Sequence, residues 1–302
     1  MKFFDKISKR DRIKCLIIIL LFIILNIFIN MLITTYSIKI RHITLEFDDL
    51  PSSFNNTKIA FASDMHAGLY ISDKHIREMS NLIIEYEVDL ILFAGDYIYS
   101  APRLFRYHNS KSIEKFINGI NGLNARYGKY AVLGNHDNLE NRVGVSNALY
   151  SNGFKLMDNN IISITNKNNE YIYIGGVGDF LTDELKFDIA TSNVNVNDFN
   201  IVLSHEPNTP LKIAKRYGYN KYIDLFLSGH THGFQISFIP MRFLEFLNKD
   251  REYPFLLGIY GLMNYDNIKV YITSGIGVVL LPFRLFAIPE VVIITLISKN
   301  II

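Results

Sequence analysis

The strongest constraint on the fold is a pattern that occurs five times along the chain. In each case a short, largely apolar run of residues ends abruptly in a polar loop, and the runs occupy residues 57–63, 88–94, 129–133, 199–204 and 224–228. Runs of this length and continuity are typical of strands that are buried on both faces. The pattern therefore predicts a sheet whose strands all end at polar loops.

Helical spacing between these runs predicts an α/β fold. Ile76, Met79 and Ile83 share one face of a helix predicted over residues 73–86, with Asp73 as its N-cap. Two more helices are predicted over residues 112–123 and 143–151. Alternation of strands and helices is typical of α/β folds. Three later apolar runs, at 171–174, 269–273 and 290–296, have shorter connections and are candidates for a second sheet.

An uncharged apolar segment, residues 15–34, precedes these elements. At about 1.5 Å rise per residue it matches the roughly 30 Å hydrocarbon core of a membrane. No small-x-small cleavage site follows it, which favours an uncleaved anchor over a signal peptide. The sequence thus predicts three parts: a basic segment over residues 1–14, a transmembrane helix over 15–35, and one large domain over 36–302.

The charges that flank this segment predict its orientation. Residues 1–14 carry six lysines and arginines against two aspartates, whereas the charges beyond the segment are mixed. The positive-inside rule then predicts a single-pass protein of the cell membrane with its large domain on the extracytoplasmic side. The net charge of the chain is only +2, and no basic stripe lies outside the first residues, so no nucleic-acid binding is expected.

The loops after the five runs are rich in potential metal ligands. They carry Asp64, His66, Asp96, Asn135, His136, His205, His230 and His232. The carboxyl ends of strands in α/β sheets are where ligands bind. Oxygen and imidazole donors without thiolates suit Zn, Fe or Mn. Because the donors outnumber one coordination sphere, the sequence predicts two divalent metal ions that share a carboxylate.

The order of these motifs resembles that of a known family. Five blocks, Ser63-Asp-Met-His66, Gly95-Asp96, Gly134-Asn-His-Asp137, His205 and Gly229-His-Thr-His-Gly233, resemble in sequence order those of the calcineurin-like metallophosphoesterases. Leu50-Pro51 and the Pro282-x-Arg284 stretch resemble the bacterial membrane-anchored phosphodiesterase branch. The resemblance implies a sandwich of two mixed β-sheets flanked by helices.

The resemblance also implies a role for each site residue. It implies that the first metal is held by Asp64, His66 and His232, and that the second is completed by Asn135, His205 and His230. Asp96 would bridge the two metals. His136 would act as a proton donor or transition-state stabiliser, and Asp137 would orient His136 or its loop. Phe234 departs from the family pattern, which often has a second glycine there, and this changes the rim of the pocket.

The implied activity is hydrolysis of a phosphodiester or phosphomonoester by a hydroxide that bridges the metals, with a lipid phosphoester as one candidate substrate. Two alternatives are open: a pyrophosphatase acting on a UDP-linked acylated sugar, which requires a cytoplasmic domain, and a catalytically silent metal-binding scaffold. Residues 238–257 are unusually apolar for a loop that follows a polar motif. They are interpreted either as a segment packed on the core or as an edge of the pocket that contacts the membrane or an acyl chain.

Overall fold

The computed structural model describes residues 8–99, 109–236 and 260–300. The helices in these residues are α1 Lys9–Thr35, α2 Asp73–Glu85, α3 Asn109–Ile120, α4 Asn135–Ser151, α5 Phe187–Ala190 and α6 Asn208–Arg216. The strands are β1 Lys39–Phe47, β2 Lys58–Ala62, β3 Leu90–Ala94, β4 Lys129–Val132, β5 Lys155–Leu156, β6 Asn160–Thr165, β7 Tyr171–Gly176, β8 Asn200–Ser204, β9 Leu225–Ser228, β10 Gly261–Tyr265, β11 Ile268–Ile272 and β12 Glu290–Ser298. The apolar segment at 238–257 lies outside the described residues.

The strands form two six-stranded sheets, which confirms the predicted sandwich of mixed sheets. The first has the order β1-β12-β2-β3-β4-β5, and the second has the order β10-β11-β9-β8-β7-β6. The five apolar runs become β2, β3 and β4 of the first sheet and β8 and β9 of the second, each parallel to its neighbour within its group. The polar loops of both groups therefore follow strands that end in the same direction within each sheet.

The assignment of β12 to a second sheet was wrong. It lies in the first sheet, parallel to β1 and antiparallel to β2. Val292 and Ile294 face the layer between the sheets, while Val291 and Ile293 face the helices. A strand that is buried on both faces has the same sequence pattern in either sheet, so the pattern does not identify the strands that flank it.

Alternation along the central strands separates two apolar layers. In β3, Leu90 and Leu92 pack between the sheets, whereas Ile91 and Phe93 pack against the layer formed with α2, α3 and α4. A third cluster packs α5 and α6 on the outer face of the second sheet. Because both faces of each central strand are covered, the strand positions are fixed, and so are the loops that leave them.

Three helices differ from the sequence predictions near their starts, and one of them, α3, spans Asn109–Ile120 in place of the predicted 112–123. The N-cap of α2 is Ser72, whose hydroxyl accepts a hydrogen bond from the His75 backbone N–H, and not Asp73. Helix α4 begins at Asn135, well before the predicted residue 143, and contains a non-helical residue at Asn141. The periodicity detected only the part of α4 beyond this break. The Asn135 motif therefore lies in the first turn of a helix.

Helix α1 differs from all other described helices in its surroundings. It is 27 residues long, and of its side chains only Thr35 is buried. Large apolar side chains are exposed along most of its length, from Ile13 to Ile33. Within the described ranges it is the one helix long and apolar enough to cross a membrane. A helix that is apolar on every face is suited to a membrane and not to water.

Candidate metal centre

The strand-end loops bring the predicted metal donors into three overlapping clusters. Ligand atoms lie within 4.8 Å of one another in each cluster: Asp64, His66 and His232; His66, Asp96 and His136; and Asp96, His205 and His230. The first and third clusters contain the donors that the sequence analysis assigned to separate metals. Asp96 and His66 belong to two clusters each, so the clusters form one continuous centre.

Donor spacing in the first cluster fits one metal ion. The Nε2 atoms of His66 and His232 are 3.0 Å apart, and His232 Nε2 is 3.3 Å from Asp64 Oδ1. Two ligands that are both bonded to one ion at about 2.1 Å are roughly 3.0–3.4 Å apart in octahedral or tetrahedral geometry. The longer separation, 4.0 Å between His66 Nε2 and Asp64 Oδ1, is the least favourable of the three.

The cluster that contains His205 has a similar spacing. Its Nε2 atom lies 3.2 Å from Asp96 Oδ2 and 3.1 Å from His230 Nδ1. The same Asp96 oxygen is 3.6 Å from His66 Nε2. One carboxylate oxygen therefore faces both donor sets, as a bridging ligand requires.

Unpaired polar atoms support the same interpretation. The buried Asn135 Oδ1 atom has no hydrogen-bond partner among the described residues. Asn135 lies in the first turn of α4, which approaches Asp96: the next backbone N–H, of His136, donates to Asp96 Oδ1 at 2.9 Å. Buried polar atoms without partners are rare in proteins, and such an atom often faces the position of a bound ion. The donor set thus fits divalent cations.

The protonation of the imidazoles is consistent with metal binding. Burial lowers the pKa of His66 to about 3, so its ring is neutral at neutral pH, as a ligand must be. Burial, with His66 and Arg284 nearby, also holds the pKa of His232 well below its ordinary value. Burial opposes a charge on His205, but Asp96 outweighs it and raises the pKa of His205. A cation at this position would replace the proton that His205 and Asp96 share.

The backbone at the centre is strained. Five of the predicted ligands have positive φ angles, between 46° and 68°: Asp64, His66, Asp96, His230 and His232. Non-glycine residues in this region cost roughly 1–3 kcal/mol each and concentrate at functional sites. Gly134 leaves room for the Asp96 side chain, since a Cβ atom at Gly134 would collide with the Asp96 carboxylate.

The Asp137 carboxylate holds the loop that carries Asp96. It accepts hydrogen bonds from the backbone N–H groups of Asp96 at 2.8 Å, Tyr97 at 2.9 Å and Gly134 at 3.0 Å. The His136 ring packs edge-on against His66 at 4.8 Å, and its Nδ1 atom has no hydrogen-bond partner in the described residues. The contacts of Asp137 are thus with the loops and not with the His136 ring.

Comparison with known proteins places this centre in a family. The sequence profile of the family described as Calcineurin-like phosphoesterase matches residues 57–234, the part of the chain that contains every predicted ligand. The chain belongs to the calcineurin-like phosphoesterase family. As a member, it is a metal-dependent phosphoester hydrolase, and the resemblance seen in the sequence motifs is confirmed.

Relatives of this phosphoesterase extend over most of the chain. The uncharacterized metallophosphoesterase YkuE of Bacillus subtilis is 28% identical and covers 85% of both chains. An uncharacterized metallophosphoesterase of Aquifex aeolicus is 29% identical over 88% of this chain and 94% of its own. A zebrafish (Danio rerio) protein named transmembrane protein with metallophosphoesterase domain is 24% identical over 85% of this chain and 57% of its own.

Two of the solved structures that match this chain are longer proteins. An NAD nucleotidase of Haemophilus influenzae matches with a TM-score of 0.42 and 15% identity, covering 73% of this phosphoesterase and 45% of the nucleotidase. A 5'-nucleotidase precursor of Thermus thermophilus matches with a TM-score of 0.42 and 14% identity, covering 73% and 49%. The chain spans about half the length of these structures.

One residue at the centre of this phosphoesterase had no predicted role. Arg284 is fully buried, and its guanidinium donates to the carbonyls of Ser274 at 2.9 Å and Ala287 at 3.0 Å. One Nη atom also lies 3.3 Å from His232 Nδ1. The sequence analysis noted Arg284 only as part of the Pro282-x-Arg284 stretch. The sequence position of an arginine in a loop does not reveal which distant side chain it contacts.

Proposed function

We propose that the chain is a membrane-tethered phosphoesterase that binds two divalent metal ions, Mn, Zn or Fe, and hydrolyses phosphodiesters or phosphomonoesters, lipid phosphoesters among them. Asp64, His66 and His232 would hold one ion, and Asn135, His205 and His230 would hold the other. The observation that carries the proposal is the position of Asp96 Oδ2, which lies 3.2 Å from His205 Nε2 and 3.6 Å from His66 Nε2. One carboxylate thus faces both donor sets.

The cations would supply Lewis acidity, which lowers the pKa of water toward neutrality and balances charge on a phosphoryl oxygen. The protein supplies position and protons. His136 is partly exposed, and its Nε2 atom is 3.9 Å from Asp96 Oδ2, so its ring lies at the edge of the donor clusters. We assign to it proton donation to the leaving oxygen, a role for which imidazole is well suited. Asp137 positions the loop of Asp96 through its backbone contacts.

The tether in this proposal is α1, with residues 36–302 forming the catalytic domain. Its exposed apolar faces and the basic residues before it and in its first two turns support an anchor whose catalytic domain is extracytoplasmic. A reporter enzyme that works only outside the cytoplasm, fused to the C-terminus of the full chain, should be active. If only a cytoplasmic reporter is active, the catalytic domain lies in the cytoplasm. A UDP-linked acylated sugar would then again be a candidate substrate.

Substitution of the shared carboxylate tests the proposal. The full-length Asp96→Asn protein, loaded with Mn, Zn or Fe, should lose bis(4-nitrophenyl) phosphate hydrolysis and bind less metal. Removing a ligand that faces both ions should cost roughly 100-fold or more, as in other pre-organised catalytic centres. Asp188→Asn, which changes an exposed carboxylate on α5, is the matched control. Undiminished hydrolysis by a metal-loaded Asp96→Asn protein would overturn the assignment.

A further inference from the structure

The loop that leads into β12, residues 279–288, packs against α1 and is called the lip below. Thr35 of α1 donates from Oγ1 to the Pro282 carbonyl at 3.1 Å. The ring of Phe28 lies 4.9 Å from that of Phe283 in the lip. Phe28 is about 10 Å from the end of the helix, at 1.5 Å rise per residue. The lip therefore runs alongside the last two turns of α1 and does not merely touch its end.

The lip exposes large apolar side chains next to this helix. Leu280, Leu281 and Phe286 are 65%, 52% and 51% exposed, and Ile288 is also exposed. A soluble domain rarely shows so many large apolar side chains within one short loop. Of this set, Phe286 and Ile288 lie beside apolar residues of α1.

A groove of about 500 Å³ lies between α1 and the part of the lip over residues 285–288. Its walls include Phe22, Ile23 and Ile27 of the helix and Leu285, Phe286 and Ile288 of the lip. The volume is within the range of small-molecule sites. Phe22 lies about 20 Å before the end of α1, which is more than the thickness of one leaflet of the hydrocarbon core. A helix that crosses the membrane would therefore place this groove at the depth of the acyl chains.

The polar residues of the groove do not require a polar occupant. The side-chain amides of Asn26 and Asn30 donate to the carbonyls of Phe22 and Asn26, in each case at 2.8 Å. One N–H group of each amide is thus satisfied within α1. An apolar chain in the groove would leave both of these hydrogen bonds in place.

The lip is also fastened to the segment that follows the ligand His232. The Leu285 backbone N–H donates to the Gln235 carbonyl at 2.9 Å, and the Gln235 side chain donates to the Leu281 carbonyl at 2.7 Å. Within the lip, Arg284 lies 3.3 Å from His232 Nδ1. The residues that line the groove and those that bind metal are therefore parts of one connected structure.

We infer that the lip enters the membrane beside α1 and that the groove binds one alkyl chain of a phosphoester lipid, whose phosphate lies at the metal centre. The inference rests on the proposed function and names its substrate class. Hydrocarbon is the occupant because the walls are mainly apolar and one wall belongs to the candidate membrane span. The position of the lip then brings the metal centre to the bilayer surface, where such a phosphate is found.

Tryptophan fluorescence tests the depth of the lip without depending on catalysis. The chain has no tryptophan, so Phe286→Trp introduces a single reporter. Tyr150→Trp is the matched control, since Tyr150 is 56% exposed on α4 and belongs to neither the lip nor the groove. In vesicles of brominated phosphatidylcholine, the full-length Phe286→Trp protein should lose most of its emission, and the control should not. Equal emission from both proteins would overturn the inference. It would show that the lip is out of reach of the lipid, either because it lies in water or because a second copy of α1 covers it.

Chain-length dependence tests the groove itself. The full chain in phosphatidylcholine vesicles should hydrolyse 4-nitrophenyl dodecyl phosphate with a kcat/KM about tenfold or more above that of the methyl ester, because the buried chain adds binding free energy. Phe286→Glu should abolish this preference, whereas Tyr150→Glu should retain it. Equal kcat/KM for the two esters would overturn the groove and leave the proposed function standing. No hydrolysis of either ester would overturn the proposed function.

Discussion

The two sheets contribute unlike halves of the candidate metal centre. Loops of the first sheet carry both carboxylates, Asp64 and Asp96, whereas loops after β8 and β9 carry only imidazoles among the predicted ligands. The closest carboxylate–imidazole pairs cross between the sheets, with Asp96 3.2 Å from His205 and Asp64 3.3 Å from His232. Neither sheet holds a complete site, so stacking of the sheets is what assembles the centre.

The halves are also held in place differently. The first is fixed from within, since Asp137 binds backbone N–H groups of its own strand-end loops. The second is supported from outside, by Arg284 in the loop before β12. We therefore expect loss of the Asp137 contacts to affect folding most. Loss of the Arg284 contact should affect metal binding most.

The largest effect is expected from Asp137→Ala. This change leaves several buried backbone N–H groups without an acceptor, which should lower the free energy of unfolding by about 3–5 kcal/mol. Urea unfolding of the full chain in mild detergent, followed by tyrosine fluorescence, measures the loss. Asp188→Ala on α5 is the control. A decrease in the free energy of unfolding as small as that of the control would show that Asp137 does not hold the first half in place.

Metal removal should have the next largest effect, because ions bound at the proposed site would join the two halves. At a metal concentration about 100 times the Kd, binding contributes roughly 2.7 kcal/mol to stability. A chelator should then lower the Tm by roughly 5–10 °C, given about 2–4 °C per kcal/mol for a domain of this size. The Asp96→Asn protein should show a much smaller shift in the same thermal scan. An equal shift would indicate that the stabilising ion binds elsewhere.

A smaller effect is expected when Arg284 is replaced by lysine. A lysine cannot reproduce the planar fork that contacts several carbonyls and His232, so His232 should be held less firmly. Loss of such a supporting contact typically weakens metal affinity by about 10–100-fold. Competition with a chromophoric chelator measures this. Arg41→Lys, at a half-buried arginine paired with Glu290, is the control and should bind metal normally.

The smallest effect is expected from Arg142→Gln, which removes two ion pairs near the edge of the two sheets. Arg142 on α4 pairs with Asp158 at 3.1 Å and with Asp183, in the loop after β7, at 2.8 Å. The arginine side chain is more than a third exposed, so solvent screens both pairs. Arg142→Gln should therefore cost about 1 kcal/mol or less in urea unfolding. A loss of the size expected for Asp137→Ala would show that the halves depend on this link.

The sequence by itself determined the local features of this protein. Five apolar runs became β2, β3, β4, β8 and β9, and the candidate ligands follow them as predicted. Residues 15–34 form most of one exposed helix. These predictions succeed because burial on both strand faces and length in a helix are recorded in consecutive residues.

Only the tertiary structure decided which of these features meet. The His230 backbone N–H donates to Asp64 Oδ2 at 3.0 Å although 166 residues separate them. The place of β12 in the first sheet, the contact of Arg284 with His232 and the packing of the lip on α1 also join residues that are far apart in sequence. Periodicity shows that a face is buried but not what covers it, because apolar packing between layers is not directional.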